Sequence, residues 1–208
     1  MENDDVSVIQ ANKGEAYIGG GKIIAKGNKA SSLKVNNDGK LVINGELSDD
    51  NVLTAGAVKH NVQIEGNVLS EKGKLGLVLN TAKSYVKGLI GTDTNTSGDT
   101  YMILSGGASW HNEGKGARTD SIGESRIKNL EADGGHIFQK HANPIHVENY
   151  SGKITVIYEH DSGVPTDVNK GLVIKGGDFK IGKAAAGSEI VLRTDTVSYT
   201  HLRAHETS

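Results

Sequence analysis

The 208-residue chain contains no cysteine and only two prolines, and aromatic residues make up 4% of it. Without cysteine there is no disulfide scaffold, no thiol nucleophile and no cysteine-based metal site. No run of about 18 apolar residues occurs, so no segment is predicted to cross a membrane as a helix. The formal net charge is −2, and no basic cluster is present, which argues against nucleic acid as a partner.

Glycine is abundant instead, with 28 residues, about twice its usual share. Many glycines with few prolines suit tight turns between short strands. Short β-prone runs separated by glycine-containing breaks are predicted as strands at residues 6–10, 16–18, 22–25, 32–35, 40–43, 62–64, 75–79, 84–86, 154–158, 172–175 and 189–192. The one helical candidate is residues 122–130, which Gly123 weakens and which also fits a strand–turn–strand.

Short strands at close intervals suggest a sandwich, a barrel or a β-solenoid. A sandwich needs longer strands and an aromatic-rich core, whereas this chain has one tryptophan and two phenylalanines. A parallel β-helix needs only short strands and stacked aliphatic side chains. We therefore predict an all-β parallel β-helix, with an antiparallel β-sandwich as the alternative. A Gly-Lys-hydrophobic opening recurs at Gly21, Gly39, Gly73 and Gly152 with uneven spacing, which indicates a degenerate repeat.

The second half of the chain carries an ordered series of turn and strand motifs. They read LSGGASWHN at 104–112, GGHIFQ at 134–139, PIHVENYSG at 144–152 and AAAGSEIVLRTD at 184–195. This series resembles the repeat regions of large autotransporter-type surface proteins of Gram-negative bacteria. The resemblance implies a right-handed β-helical passenger region that is exported and displayed at the cell surface by a C-terminal membrane barrel, which this chain lacks.

The resemblance to passenger repeats divides the chain into three parts. Residues 1–100 share only the general pattern of short strands and glycine-containing turns, as degenerate β-solenoid coils, and residues 101–196 carry the resemblance. Residues 197–207 read VSYTHLRAHET and resemble a translated sequencing adapter, so we expect 197–208 not to be biological and the chain to be a piece of a longer one. Adjacent β-helix repeats of that parent chain are then its expected partners.

Trp110, His111 and Asn112 follow a Gly-Gly-Ala turn and are the candidate contact with a carbohydrate or a protein partner. An exposed indole offers a flat apolar face to a sugar ring. The alternative is that Trp110 is a packing residue.

Three other patterns are weaker. Residues 92–104 have the polar spacing of a calcium loop, but Leu104 stands where a bidentate glutamate is needed. His136, His141 and His146 are five apart, which suits neither a helical zinc pair nor one side of a strand, although His146 and Glu148 share a side. The pairs Asp120 with Glu124 and Asp161 with Asp167 are too scattered for an acid–base site.

We expect a structural, display or adhesive segment of an exported surface protein, with no cofactor, no metal and no catalysis. Host or cell-surface glycans and proteins are its expected ligands, and the membrane is reached only through the missing barrel. A β-helical carbohydrate-active enzyme is one alternative, and it requires three or more carboxylates close together in a groove. A surface-layer or cell-wall-associated protein without a barrel is the other.

Overall fold

The computed structural model describes residues 7–26, 31–91, 98–114, 123–160 and 174–195. These ranges contain nineteen β-strands and no helix. The chain winds through seven successive coils, and each coil lies in parallel on the one before.

The first four coils are made of separate short strands. Coil 1 contains β1 (Ser7–Asn12), β2 (Glu15–Ile18) and β3 (Gly21–Ile24). Coil 2 contains β4 (Ser31–Asn36), β5 (Gly39–Ile43), β6 (Gly45–Leu47), β7 (Leu53–Ala55) and β8 (Val62–Glu65). Coil 3 contains β9 (Asn67–Ser70), β10 (Gly73–Leu79) and β11 (Tyr85–Lys87). Coil 4 contains β12 (Ile90–Gly91), β13 (Asp99–Ser105) and β14 (Ser109–His111).

Coils 5 and 6 are each built mainly from one long strand. Coil 5 is β15 (Ser125–Phe138) and coil 6 is β16 (Ile145–His160), which is followed by β17 (Ile174–Lys175). Coil 7 contains β18 (Phe179–Ala184) and β19 (Glu189–Thr194). β16 turns a corner without a break at Gly152, which adopts a φ of +91°, and a Cβ there would lie against the Ala132 carbonyl. In β15 the corresponding left-handed glycine is Gly134, with a φ of +75°.

The stacked strands form three faces. Face A is the parallel sheet β1-β4-β9-β12, face B contains β2, β5, β10 and β13, and face C contains β3, β8, β11 and β14. β15 and β16 join faces B and C into one curled sheet. Antiparallel pairing occurs in the described residues only between β6 and β7 and between β16 and β17. The predicted parallel β-helix is therefore confirmed, and the antiparallel sandwich is wrong.

The core is a set of apolar columns, because residues in register stack one above the other from coil to coil. The inner column of face C consists of Ile23, Ile64, Val86, Trp110, Ile137, Val156 and Leu192. A single cluster of buried side chains runs from Ala11 to Tyr158. The division placed at residue 100 does not interrupt this core, since β13 pairs with β10 on one side and β15 on the other.

The uneven Gly-Lys repeat has a simple geometric cause. Gly39 pairs with Gly73 and Lys40 with Lys74, so these two copies stack in adjacent coils. The copy at Gly21 opens β3 on another face, and the copy at Gly152 lies inside β16. Because the copies occupy different places in their coils, their spacing along the chain is irregular.

One local prediction is corrected, and a second is described only in part. The helix expected at 122–130 is wrong from Ser125 onward, where the chain forms β15; Ser125, Ile127, Leu130 and Ala132 are buried, with more exposed residues between them. Of the strand expected at 172–175, only residues 174–175 are described, and they form β17.

Candidate functional site

Trp110 lies in the inner column of face C and is fully buried. Its Nε1 donates a hydrogen bond to the Gly88 carbonyl of the preceding coil at 3.0 Å. The indole therefore has no surface for a sugar ring, and the prediction of a stacking platform is wrong for this residue. The packing alternative describes it correctly, because β14 turns this position toward the core.

Asn112 is also fully buried, at the corner that leads from coil 4 to coil 5. Its Nδ2 donates to Gln139 Oε1 and to the Asn143 carbonyl, both at 2.8 Å, and its Oδ1 accepts the Ser125 hydroxyl at 2.6 Å. Gln139 continues the network by donating to the Gly177 carbonyl at 2.9 Å. Asn112 is therefore closed to a ligand as well: its side chain joins two successive coil corners, and Gln139 extends the network to a third.

His111 lies on the outer side of face C and is partly exposed. Its ring stacks on Phe138 of the next coil, with centroids 4.3 Å apart and planes at 3°. Burial lowers the pKa of His111, and Lys87 and Lys140 lower it further against an opposing effect of Glu113. Of the three predicted contact residues, only His111 is accessible to a ligand, and its role stays a prediction.

The three evenly spaced histidines are not brought together. His136 pairs with Ser109 and Thr155 on face C, whereas His146 pairs with Arg126 and Lys180. His141 lies in the turn between them, with Nε2 3.6 Å from Glu113 Oε2. Across the part of the chain that the structure describes, no group of three or more metal-ligating side chains occurs.

A charged pocket of about 330 Å³ surrounds His146 and Glu148, which lie on the same side of β16 as predicted. Lys128 Nζ lies 3.0 Å from Glu148 Oε2, and Arg126 Nη2 lies 3.0 Å from Glu124 Oε2. The Glu148 bond raises the pKa of Lys128. Asp120, the predicted partner of Glu124, lies outside the described residues, as do Asp161, Asp167 and residues 92–97 of the calcium-loop candidate.

A second pocket, of about 340 Å³, is lined by carboxylates near the N-terminal ends of the face B strands. Its lining includes the acidic residues Glu15, Asp38, Asp49 and Asp99 and the basic residues Lys13, Lys40 and Lys74. Glu15, Lys40, Lys74 and Asp99 are consecutive members of one register column. A hydrogen bond from Tyr17 and the charge of Lys40 lower the pKa of Glu15, so this carboxyl is ionised at neutral pH.

The largest feature that the sequence analysis missed is a hairpin formed by β6 and β7. No strand is predicted between residues 43 and 62, but the hairpin packs Leu47 and Leu53 on Val42 and Tyr101 of face B. The available indication was the pattern Gly-Glu-Leu, then Ser-Asp-Asp-Asn, then Val-Leu-Thr, in which a polar turn joins two short β-prone runs.

The hairpin forms one wall of a groove of about 490 Å³ that runs over the outer side of face B. Its tip contributes Asn51, Val52 and Leu53, and Val52 is 59% exposed. The floor contains residues of coils 4 to 7, namely Tyr101, Ile103, Asn129, Glu131, Asn149, Ser151 and Lys183. Face B and the hairpin together thus build a recess that neither element forms alone.

Comparison of the chain with protein-family models, curated proteins and solved structures found no match. Within the described ranges, no helix is long and apolar enough to span a membrane.

Proposed function

We propose that this chain is a structural and adhesive segment of an exported bacterial surface protein, of the autotransporter type. Its role is to build a rigid β-helical body whose outer faces are displayed to sugars, hosts or neighbouring cells. The resemblance of residues 101–196 to passenger repeats motivates the exported location.

The observation that carries this proposal is the separation of inner and outer columns over seven coils. The inner columns are almost uniformly aliphatic and form one core. The outer columns change chemistry from coil to coil: the column that starts at Lys22 continues through Gln63, Tyr85, Ser109, His136, Thr155 and Val191. A solenoid stabilised by neighbouring repeats leaves its outer side free to vary for recognition.

The partial exposure of apolar side chains in coil 7 also supports the proposal. Phe179, Ile181, Ile190 and Leu192 pack against the core but remain partly exposed. Among the described residues, β18 and β19 pair only with β16. We propose that a further β-coil packs on this side of coil 7 and covers these side chains.

Surface location is tested with antibodies raised against the purified chain. We expect them to label intact cells of the bacterium that encodes the protein, and we expect external protease to remove the labelling. Labelling that requires cell lysis would contradict the proposal.

The acidic pocket favours a second candidate, a carbohydrate-active enzyme, because four carboxylates line one recess as that alternative requires. The test is incubation of the purified chain with soluble polysaccharides and measurement of new reducing ends. Turnover that Asp49→Asn or Asp99→Asn abolishes would establish the enzyme, whereas the adhesive proposal predicts binding without turnover.

A further inference from the structure

We propose that the groove between the hairpin and face B binds an uncharged oligosaccharide, laid along the axis of the β-helix with about one sugar residue per coil. This inference deepens the adhesive role and rests on that proposed function for its biological meaning. It assigns the ligand to a site that excludes Trp110, His111 and Asn112.

The floor of the groove consists of two register columns. One contains Tyr101, Asn129, Asn149 and Lys183, and the other contains Ile103, Glu131 and Ser151. Adjacent strands lie about 4.8 Å apart, so four coils give a floor about 14 Å long. That repeat is comparable with the length of one pyranose residue, which suits an extended sugar chain across the strands.

The polar groups of the floor match sugar hydroxyls. Asn149 Nδ2 donates to Asn129 Oδ1 at 3.0 Å and lies 3.3 Å from the Lys128 carbonyl, so the two amides are held in a fixed orientation. Asn129 retains an amide nitrogen and is exposed. Oriented amides and hydroxyls such as Ser151 both donate and accept, as a polyol requires.

The walls supply apolar surface for the C–H faces of the rings. Val52 and Leu53 of the hairpin stand beside Ile103 of coil 4, whereas Tyr101 is buried beneath the hairpin. Asn51 at the same tip has a buried side-chain oxygen with no hydrogen-bond partner among the described residues. The groove thus combines a floor with polar groups and a hairpin wall that presents Val52 and Leu53.

The charges in the groove favour an uncharged chain. Its floor and walls hold one carboxylate, Glu131, and one ammonium group, Lys183, so their charges cancel. A polyanion would find no cluster of cations there. A peptide strand is disfavoured because β13, β15 and β16 lie inside the sheet and their backbone groups already pair with neighbouring strands.

The test uses titration calorimetry with the purified chain and uncharged glucose and N-acetylglucosamine oligomers of two, four and six residues. Affinity is expected to rise more than tenfold from two to four residues and then to level off, because the floor spans four coils. Tetragalacturonate, a charged probe of equal length, is expected to bind at least tenfold more weakly.

Variants locate the site. Asn149→Ala is expected to weaken tetramer binding about tenfold, the effect of about one lost hydrogen bond. Val52→Asp, at the exposed hairpin tip, is expected to weaken it similarly without touching the core. The matched control is Asn12→Ala: Asn12 Oδ1 accepts an exposed amide of the next coil, Asn37 Nδ2, at 2.9 Å, but lies outside the groove.

The inference is overturned if none of the uncharged oligomers binds, if Asn12→Ala weakens binding as much as Asn149→Ala, or if tetragalacturonate binds best. Self-association that Val52→Asp abolishes would also overturn it, since a second copy would then occupy the groove. These results are independent of antibody labelling of intact cells, so failure of the sugar site is distinguishable from failure of the surface location.

Discussion

At the scale of single residues, Trp110 shows how the direction of a side chain changes its role. Tryptophan after a Gly-Gly-Ala turn is compatible with an exposed platform or with packing, and of the two roles packing is the commoner. The structure resolves the choice through register: Trp110 lies between Val86 and Ile137 in an inner column, whereas His111, one residue later, faces outward. Neighbouring coils determine this register, so local sequence does not reveal it.

Trp110 is the only tryptophan, which makes its burial directly measurable. We predict blue-shifted fluorescence that acrylamide quenches weakly in the folded protein and strongly in urea. Trp110→Ala should lower the free energy of unfolding by about 3–5 kcal/mol, the usual cost of emptying a buried aromatic site, as measured by circular dichroism in urea. Equal quenching in both states would contradict the core position.

Buried tyrosines give the stability a pH dependence in the alkaline range. Burial raises the pKa of Tyr101 to about 12, with a contribution from Asp99, and burial likewise raises the pKa of Tyr150 to about 12. In the unfolded chain both hydroxyls ionise near pH 10. Between these pH values the unfolded chain loses the two protons while the folded protein keeps them, so a rising pH favours unfolding. The stabilising contribution of the two protonated tyrosines is therefore complete below about pH 10 and is lost as the pH rises toward 12.

We therefore predict that the urea midpoint falls steeply between pH 10 and pH 11.5. Tyr150→Phe should make this fall shallower while lowering the midpoint at pH 8, since the hydroxyl donates its proton to the Glu189 carbonyl at 2.7 Å, with the Gly152 carbonyl at 3.0 Å as the alternative acceptor. Tyr17→Phe, at a tyrosine that is 52% exposed, is the control and should leave the slope unchanged. An identical slope in all three proteins would refute the assignment.

At the scale of strands and hairpins, sequence patterns predict most of the first half well. The eight strands expected there correspond to β1–β5, β8, β10 and β11 within about two residues. Each has a short apolar run bounded by glycine or asparagine, which fixes its limits locally. β9 and β12 were missed because each contains no more than two apolar residues, and β6 and β7 because their stability comes from packing on Val42 and Tyr101 of distant strands.

The hairpin depends on close approach at Gly45. A Cβ at this position would lie 2.5 Å from the Thr54 carbonyl oxygen and 2.8 Å from Val78 Cγ2. We predict that Gly45→Ala lowers the free energy of unfolding by about 1–3 kcal/mol, because the hairpin must shift off face B. The same substitution should weaken oligosaccharide binding, since the hairpin tip is a wall of the groove.

Gly14→Ala is the matched control for that variant. A Cβ on Gly14 has no atom within 4 Å, and neither glycine has a φ in the left-handed region. Its free energy of unfolding is expected to change by less than about 0.5 kcal/mol. If urea denaturation finds the two variants equally stable, the packing of the hairpin on face B is wrong.

At the scale of the whole molecule, the composition anticipated the architecture better than it anticipated any site. Scarce aromatics and abundant glycine exclude a thick aromatic core and permit a narrow one filled by stacked Ile, Val and Leu. The groove escaped prediction because it is assembled from residues as distant as Val52 and Lys183. Such a site depends on which coils become neighbours, and the irregular repeat hides that order.

The absence of cysteine permits one direct test of the coil order. Cysteines introduced in pairs carry two spin labels: one at Lys22, and the other at Gln63, Ser109 or Val191. All four positions lie in one outer column, and the three pairs are one, three and six strand spacings apart, respectively. The parallel β-helix predicts that the distances between the two labels, measured by pulsed electron–electron double resonance, increase by about 4.8 Å per coil, to about 29 Å for the last pair. Distances that do not increase in this order, or a short distance between positions 22 and 191, would contradict the stacked-coil architecture.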